Sequence, residues 1–156
     1  AFLPVAYVYG QNYYIDDCIC DNGLPEIVDA RLADILVRHK VNQCRFESNS
    51  AGGRVAEKVQ QMVKDRGGIT HITTKYTTAN KETKIIVNSP WIKEHCLFKD
   101  NSVITDKEYK RAMNFLCTYT MAGKNKNDDI PDAFAQLSEF AQSLEGNKVK
   151  VFQRPF

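Results

Sequence analysis

Several sequence patterns that mark common catalytic and membrane proteins are missing from this chain of 156 residues. No apolar run approaches the ~18 residues of a membrane span. The phosphate-loop pattern GxxxxGKS/T is absent, as are GxSxG and HExxH, so we predict no ATP site and neither of those hydrolase sites. His39, His71 and His95 accompany no nucleophile motif, and the sequence therefore indicates no catalytic triad.

Charge and cysteine usage are also unremarkable. Lys and Arg number 21 against 19 Asp and Glu, a formal net charge of +2. A protein that only coats nucleic acid is usually more basic, so any nucleic-acid contact must come from local patches. The five cysteines are odd in number and form no CxxC pair. We predict reduced thiols that pack as small apolar groups in a cytoplasmic protein.

The composition fits one folded domain with a real core, because 43% of the residues are hydrophobic and 26% are charged. The segment from Ala1 to Val5 has the pattern of the middle of an apolar strand, with no capping signal before it. We therefore expect residues 1–156 to be one domain cut from a longer protein.

Strands and helices alternate along the predicted chain. The predicted elements are strands at 2–9 and 13–20, a helix from Pro25 to about His39, a strand at 43–47, a helix carrying Val55 to Val63, a strand at 69–74, a helix capped by Asn80 and disturbed near Pro90, a helix after the capping-box pair Thr105 and Glu108, and a last helix from Asp128 to Gly146. This order predicts an α/β fold whose sheet carries an antiparallel hairpin at one side and is covered by helices.

Carboxylates gather at two places that could carry chemistry. Glu47 ends a predicted strand just before a turn with two glycines, and sites in open sheets collect outside such strand ends. Asp128, Asp129 and Asp132 crowd the first turn of the last helix. Acids there also cap free amides and complement the helix dipole. Three acids within five residues are more than capping requires, and a bound cation would relieve the repulsion between their charges.

Basic residues lie near these acids. Lys81 and Lys84 belong to a basic stretch from residue 75 to 84, and Lys124 and Lys126 directly precede the acidic cluster. Lysines beside a metal site can hold a DNA backbone, although a solvated loop is the default explanation for them.

Four stretches, in this order, resemble the C-terminal nuclease domain of phage terminase large subunits. They are VAYVYG at 5–10, RFESN at 45–49, KYTTANKETKI at 75–85 and DDIPDA at 128–133. The resemblance extends from Phe2 to about Leu144. Its most specific parts are the FESN strand end and the DDxPDA helix start, whose order and separation both match.

The resemblance implies a ribonuclease-H-like fold and a two-metal endonuclease that cuts concatemeric double-stranded DNA during capsid filling. Glu47 and Asp129 would be metal-binding catalytic acids, with Asp132 in support and Asp128 as a further ligand or a cap. All-oxygen ligands suit Mg²⁺ or Mn²⁺. Lys81 and Lys84 are assigned to DNA, as are Lys124 and Lys126. The implied partners are the ATPase domain, the small terminase subunit and the portal protein, in a phage or prophage system.

One part of the family pattern has no match. The family's first catalytic aspartate lies on a central strand that precedes the hairpin, whereas this chain begins with the hairpin. Asp16 and Asp17 lie on the predicted outer strand and do not replace it. We therefore expect the first central strand to be missing and the metal site to be incomplete.

Two alternatives remain open from the sequence. One is another ribonuclease-H-like nuclease, such as a junction resolvase, which shares the acid-bearing final helix. The other is a module without catalysis that grips DNA or docks the packaging motor on the portal, which the missing strand favours.

Overall fold

A computed structural model describes residues 1–49, 52–121, 123, 125 and 127–147 of the chain. Its elements, in chain order, are β1 Phe2–Tyr9, β2 Asn12–Cys20, α1 Pro25–Arg38, β3 Gln43–Glu47, α2 Gly52–Asp65, β4 His71–Lys75, α3 Lys81–His95, β5 Cys96–Leu97, α4 Lys107–Thr118 and α5 Asp129–Asn147. None of the described helices is long and apolar enough to cross a membrane.

The strands form two hydrogen-bonded groups. β1 and β2 make an antiparallel hairpin, and the short β5 adds to β2 in parallel. β3 and β4 form a parallel pair joined through α2. The predicted mixed α/β architecture with a hairpin is thus confirmed. Among the described residues no strand lies between β1 and β3, so the expected single sheet is divided there.

Helices cover both faces of these strands because the strands alternate their side chains. One buried cluster takes Ile15 and Cys18 of β2 together with Tyr109 of α4 and Phe134 of α5. The other cluster is formed by the opposite face of the hairpin together with residues of α1 and α2 and with Cys44 of β3. The strands therefore lie between two layers of helices, with α1 and α2 on one side and α4 and α5 on the other.

The hairpin turn has the backbone that its sequence favours. Gly10 has a φ of 62°, and Gln11 beside it does not enter the positive range. A positive φ at only the first central position is typical of a type II′ turn, which prefers glycine there and matches the twist of the flanking strands. The turn fixes the register from Tyr9 and Asn12, and one irregularity follows at Val5 and Ala6.

Helix α3 continues through Pro90, although the sequence predicted a disturbance there. A proline inside a helix cannot donate to the carbonyl four residues earlier, which here belongs to Ile86. The Ser89 hydroxyl donates to that same Ile86 oxygen at 3.0 Å. The carbonyl is therefore satisfied, and the helix remains one element.

One further prediction about local structure was wrong, and one short strand was missed. Thr105 and Glu108 do not form a capping box, because Asp106 caps α4 and accepts from the amides of Glu108 and Tyr109. The Glu108 carboxylate is engaged elsewhere, by Arg31 and the Cys20 amide. In addition, the two-residue strand β5 was not predicted, since so short a run has no periodicity to read.

The cysteines are reduced thiols, as predicted from their number and spacing. All five are free thiols, and Cys117 alone is exposed. Cys18 and Cys20, two residues apart, share the face of β2 that packs on α4 and α5. Burial raises the pKa of the Cys44 thiol to about 12, so it stays a neutral packing group at ordinary pH.

Replacing Tyr109 by Phe should destabilise the fold. Its buried hydroxyl donates to the Ile15 carbonyl at 2.8 Å and accepts from the Lys99 amide at 3.0 Å. Removing it leaves both groups unpaired, which we expect to lower the free energy of unfolding by about 1–3 kcal/mol. Urea denaturation would measure this. Tyr76→Phe is the control, because that ring is 68% exposed; equal effects of the two changes would contradict the prediction.

Candidate active site

Glu47 ends β3 on the face that packs against α5. Side chains alternate along this strand, so Cys44 joins the core beneath α1 and α2. Arg45 points the other way and lies 4.6 Å from the centre of the Phe140 ring of α5. Glu47, two residues further, shares the face of Arg45 and meets Gln136 of α5. The strand thus delivers its terminal carboxylate to the start of the last helix.

Asn49 fixes the backbone beside Glu47. Its amide nitrogen donates to Glu47 Oε1 and to the Thr77 carbonyl, each at 2.7 Å. Its side-chain oxygen accepts from the Thr77 amide at 3.2 Å. One asparagine therefore ties together the loops that follow β3 and β4, and it orients the carboxylate at their junction.

The three aspartates of α5 differ in exposure. Asp129 begins the helix and is exposed, whereas Asp132, one turn later, is only 6% exposed. Ile130 and Pro131 between them are buried and anchor the first turn. The Asp132 amide donates to the Asp128 carbonyl at 2.9 Å, which is the first bond of the helix. Packing of this turn therefore holds Asp132 inside and leaves Asp129 at the rim.

Gln136 joins the two groups of acids. Its amide nitrogen donates to Glu47 Oε2 and to Asp132 Oδ2, each at 2.9 Å. The sequence analysis missed this residue. The available signal was its spacing, because Gln136 follows Asp132 by four residues and so lies on the same side of the helix.

Two lysines from the first turn of α3 pair with the aspartates. Lys81 donates to Asp128 at 3.1 Å and to Asp129 at 2.5 Å. Burial alone would lower the pKa of Lys81, but the hydrogen bonds to Asp129 and Asp128 outweigh it and raise that pKa. Lys84 lies 2.7 Å from Asp132, and its side chain is only 3% exposed.

Among the described residues, the site carries excess negative charge. Its four carboxylates, from Glu47 and the three aspartates, have two described ammonium groups within ion-pairing distance. The buried Oδ1 of Asp132 faces Lys84 but accepts no well-directed hydrogen bond from any described residue. A buried carboxylate oxygen with an open lone pair, in a cluster of surplus negative charge, is chemically suited to a cation.

The four predicted site acids thus fall into two pairs. Glu47 and Asp132 share Gln136, while Asp128 and Asp129 share Lys81 at the rim. Within the described parts of the chain, no group of three or more His, Cys, Asp or Glu side chains is close enough to hold a metal ion together. Lys124 and Lys126 lie outside the described residues. The catalytic, metal-binding and DNA-binding roles of all these residues stay predictions.

Residues 3–97 match the family described as the terminase of bacteriophage T7, ribonuclease H-like domain. The chain belongs to this family. The match includes Glu47 and both α3 lysines, and the acids of α5 lie beyond it. A comparison with curated proteins gives no match.

Membership confirms the resemblance and assigns this ribonuclease-H-like terminase domain a nuclease-type role in phage packaging. Nucleases with this fold generally use divalent metal ions. In this chain, β3 carries one of the predicted site acids, the start of α5 carries the others, and the α3 lysines and Gln136 contact them.

Replacing Lys84 by Met should destabilise the protein strongly. The change leaves the Asp132 carboxylate buried without its cation, and breaking such a pair from one side costs about 3–5 kcal/mol. The matched control is Lys81→Met, because that lysine side chain is 39% exposed and a pair at that exposure contributes about 1 kcal/mol or less. Thermal and urea unfolding would compare the two.

A double variant tests the same cause directly. Adding Asp132→Asn to Lys84→Met removes the uncompensated charge and should recover part of the lost stability. If Lys84→Met is no more harmful than Lys81→Met, the ion pair does not stabilise the junction of α3 and α5.

Proposed function

We propose that this terminase domain is a metal-dependent endonuclease that cuts double-stranded, concatemeric phage DNA during genome packaging. The observation that carries the proposal is the meeting of Glu47 with Asp132 through Gln136, at the end of a strand and the start of a helix. Capping and the helix dipole explain acids in the first turn of α5, but they do not explain the approach of Glu47 from β3. The nuclease-type family supports the same reading.

The donor set fits Mg²⁺ or Mn²⁺. Both ions prefer oxygen ligands, and the available groups are carboxylates with one open buried lone pair on Asp132. Glu47 and Asp132 would hold the ion, with Asp129 as the ligand at the rim. Divalent metal held by these residues would supply an activated water nucleophile and stabilise the leaving 3′ oxygen.

The residues of the chain have separate tasks in this reaction. Asn49 donates a hydrogen bond to one oxygen of Glu47, and Gln136 donates to the other. The position of this carboxylate is therefore set before substrate binds. Lys84 is buried against Asp132 and so positions that carboxylate. Lys81 is partly exposed at the rim beside Asp129, where its ammonium can meet a phosphate once a cation occupies the acids.

The partners proposed here follow from the family role. They are double-stranded DNA, a terminase ATPase domain, the small terminase subunit and the portal protein, all in the host cytoplasm. Cleavage would depend little on base sequence, because phosphate contacts position DNA without reading its bases.

A second function is favoured by one observation. Each of the four acids has a protein partner, and no three potential ligands converge within the described residues. A domain in this state could grip DNA or dock the motor on the portal without cutting. The two functions differ in whether divalent metal and the acids are needed.

Plasmid nicking in Mn²⁺ tests the nuclease function. We expect Glu47→Gln and Asp129→Asn to abolish cleavage by the protein that carries this domain together with its first central strand, because each change removes a charge while keeping nearly the same shape. Glu57→Gln is the control, since this exposed acid lies on α2 away from the site. Full cleavage by the double variant Glu47→Gln, Asp129→Asn would contradict the proposal.

Calorimetry with Mn²⁺ separates the second function from the first. The nuclease function requires metal binding that is lost in the same double variant. Absence of both cleavage and metal binding, with DNA binding retained, would support the gripping or docking module.

A further inference from the structure

The lysines of the basic stretch at 75–84 have different surroundings in the structure. Lys84 is buried against Asp132, and Lys81 pairs with two other aspartates at the rim. Lys75, at the end of β4, is exposed and has no carboxylate within ion-pairing distance in the described parts of the chain. Of these three cations, Lys75 is therefore the one whose charge is available to an anion from outside.

The strand register places Lys75 directly beside Glu47. The two residues are partners in the parallel pair of β3 and β4. Three residues earlier, Cys44 pairs with Ile72, and both belong to the core beneath α1 and α2. Because side chains alternate along a strand, Glu47 and Lys75 share the opposite face, on which Glu47 meets Gln136. Neighbouring strands are ~4.8 Å apart, so the lysine stem begins next to the Glu47 carboxylate.

Hydrogen bonds hold the backbone of Lys75 in this position. Its carbonyl accepts from the Ser48 amide at 3.0 Å. Two residues later, the amide and carbonyl of Thr77 both bond to the Asn49 side chain, which also donates to Glu47. The lysine thus stands on a backbone that is fixed relative to the acid, as a preorganised binding group requires.

The neighbours of Lys75 on this face already have partners. Glu47 accepts at one oxygen from Asn49 at 2.7 Å and at the other from Gln136 at 2.9 Å. Arg45, the nearest cation on the same side of β3, lies over an aromatic ring of α5 at 4.6 Å. The Lys75 ammonium is therefore the exposed positive group at the end of the strand pair, beside a carboxylate whose position is set by other residues.

We propose that Lys75 binds a backbone phosphate of the DNA strand that is presented to the acids for cleavage. This role rests on the proposed nuclease function, since the acids bring that strand to the ends of β3 and β4. Adjacent phosphates of one strand are ~3.4 Å apart along the duplex axis, which is within the length of a lysine stem. The ammonium therefore reaches a phosphate next to the scissile one. Lysine meets phosphate as a point charge and reads no bases.

The position of Lys75 on an edge strand gives it one other possible role. β4 lies at the edge of its two-stranded group, and lysines on such edges prevent pairing with another chain. That role requires the charge but involves no DNA. The dependence of DNA binding on salt distinguishes the two roles, because each phosphate contact contributes to it by a known amount.

DNA binding at several salt concentrations tests the phosphate contact. The protein that carries this domain together with its first central strand is titrated with two short blunt duplexes of unrelated sequence, in EDTA so that no cleavage occurs. Lys75→Gln should weaken binding of both duplexes by roughly three- to tenfold at about 0.1 M salt, and should reduce the slope of log affinity against log salt by about 0.9. Lys75→Arg should retain binding, because it keeps the charge.

Lys64→Gln is the matched control. It removes the same charge from an exposed lysine in the last turn of α2, ~18 Å along that helix from the end that follows β3. We expect it to leave the affinity and the salt slope unchanged. Equal effects of Lys64→Gln and Lys75→Gln would reveal only a loss of overall charge and would overturn the assignment. An unchanged salt slope in Lys75→Gln would also overturn it and would leave Lys75 the edge role.

The binding assay and the nicking assay can fail separately. A reduced salt slope in Lys75→Gln, without nicking by the unchanged protein in Mn²⁺, would support the phosphate contact and contradict the nuclease function. Nicking that is accompanied by an unchanged slope would support the nuclease function and contradict the contact. If the unchanged protein binds neither duplex in EDTA, the contact is contradicted as well.

Discussion

The packing of α5 across both groups of strands is the constraint on which the rest of the structure depends. This helix contacts the β1 side of the hairpin, while its Gln136 and Phe140 reach Glu47 and Arg45 of β3. The described residues contain no direct strand pairing between β1 and β3. The relative position of the two strand groups, and with it the distance between Glu47 and Asp132, is therefore set by side-chain packing of helices.

Electrostatics adds a second condition at the same place. The α3 lysines meet the α5 aspartates, and a buried polar contact between Asn88 and Ser138 at 2.7 Å continues the same helix pair. Such groups are costly to bury unless each finds its partner. The pairing therefore specifies one relative placement of α3 and α5, where apolar packing alone would tolerate several. The same contacts therefore orient the carboxylates and set the register of the two helices.

Much of this architecture could be predicted from the residues themselves. The alternation in β1 and β2, the proline at the start of α1 and the asparagine that caps α3 are local signals, and the structure confirms the elements that they predicted. Glu47 and the α5 acids could be selected because of their residue types and positions at element ends. The family and its nuclease-type role were predicted from four short stretches and are confirmed.

The errors arose where a distant contact decides the outcome. Glu108 has the spacing of a capping-box acid, but Arg31 from α1 engages it across 77 residues of sequence. Lys84 belongs to a basic stretch of the sequence, and its burial against Asp132 could not be predicted from that stretch alone. Gln136 carries no charge and no motif, so its bridging role became visible only when β3 and α5 were placed together.

The hydroxyl of Ser89 has a mechanical consequence. By satisfying the carbonyl that Pro90 leaves open, it keeps α3 as one rod of fifteen residues, about 22 Å long. One end of this rod holds Lys84 against Asp132, and at the other end His95 lies 2.7 Å from the Gln11 carbonyl in the hairpin turn. The hairpin turn and the acids are therefore joined by one continuous helix, although they lie at opposite ends of it.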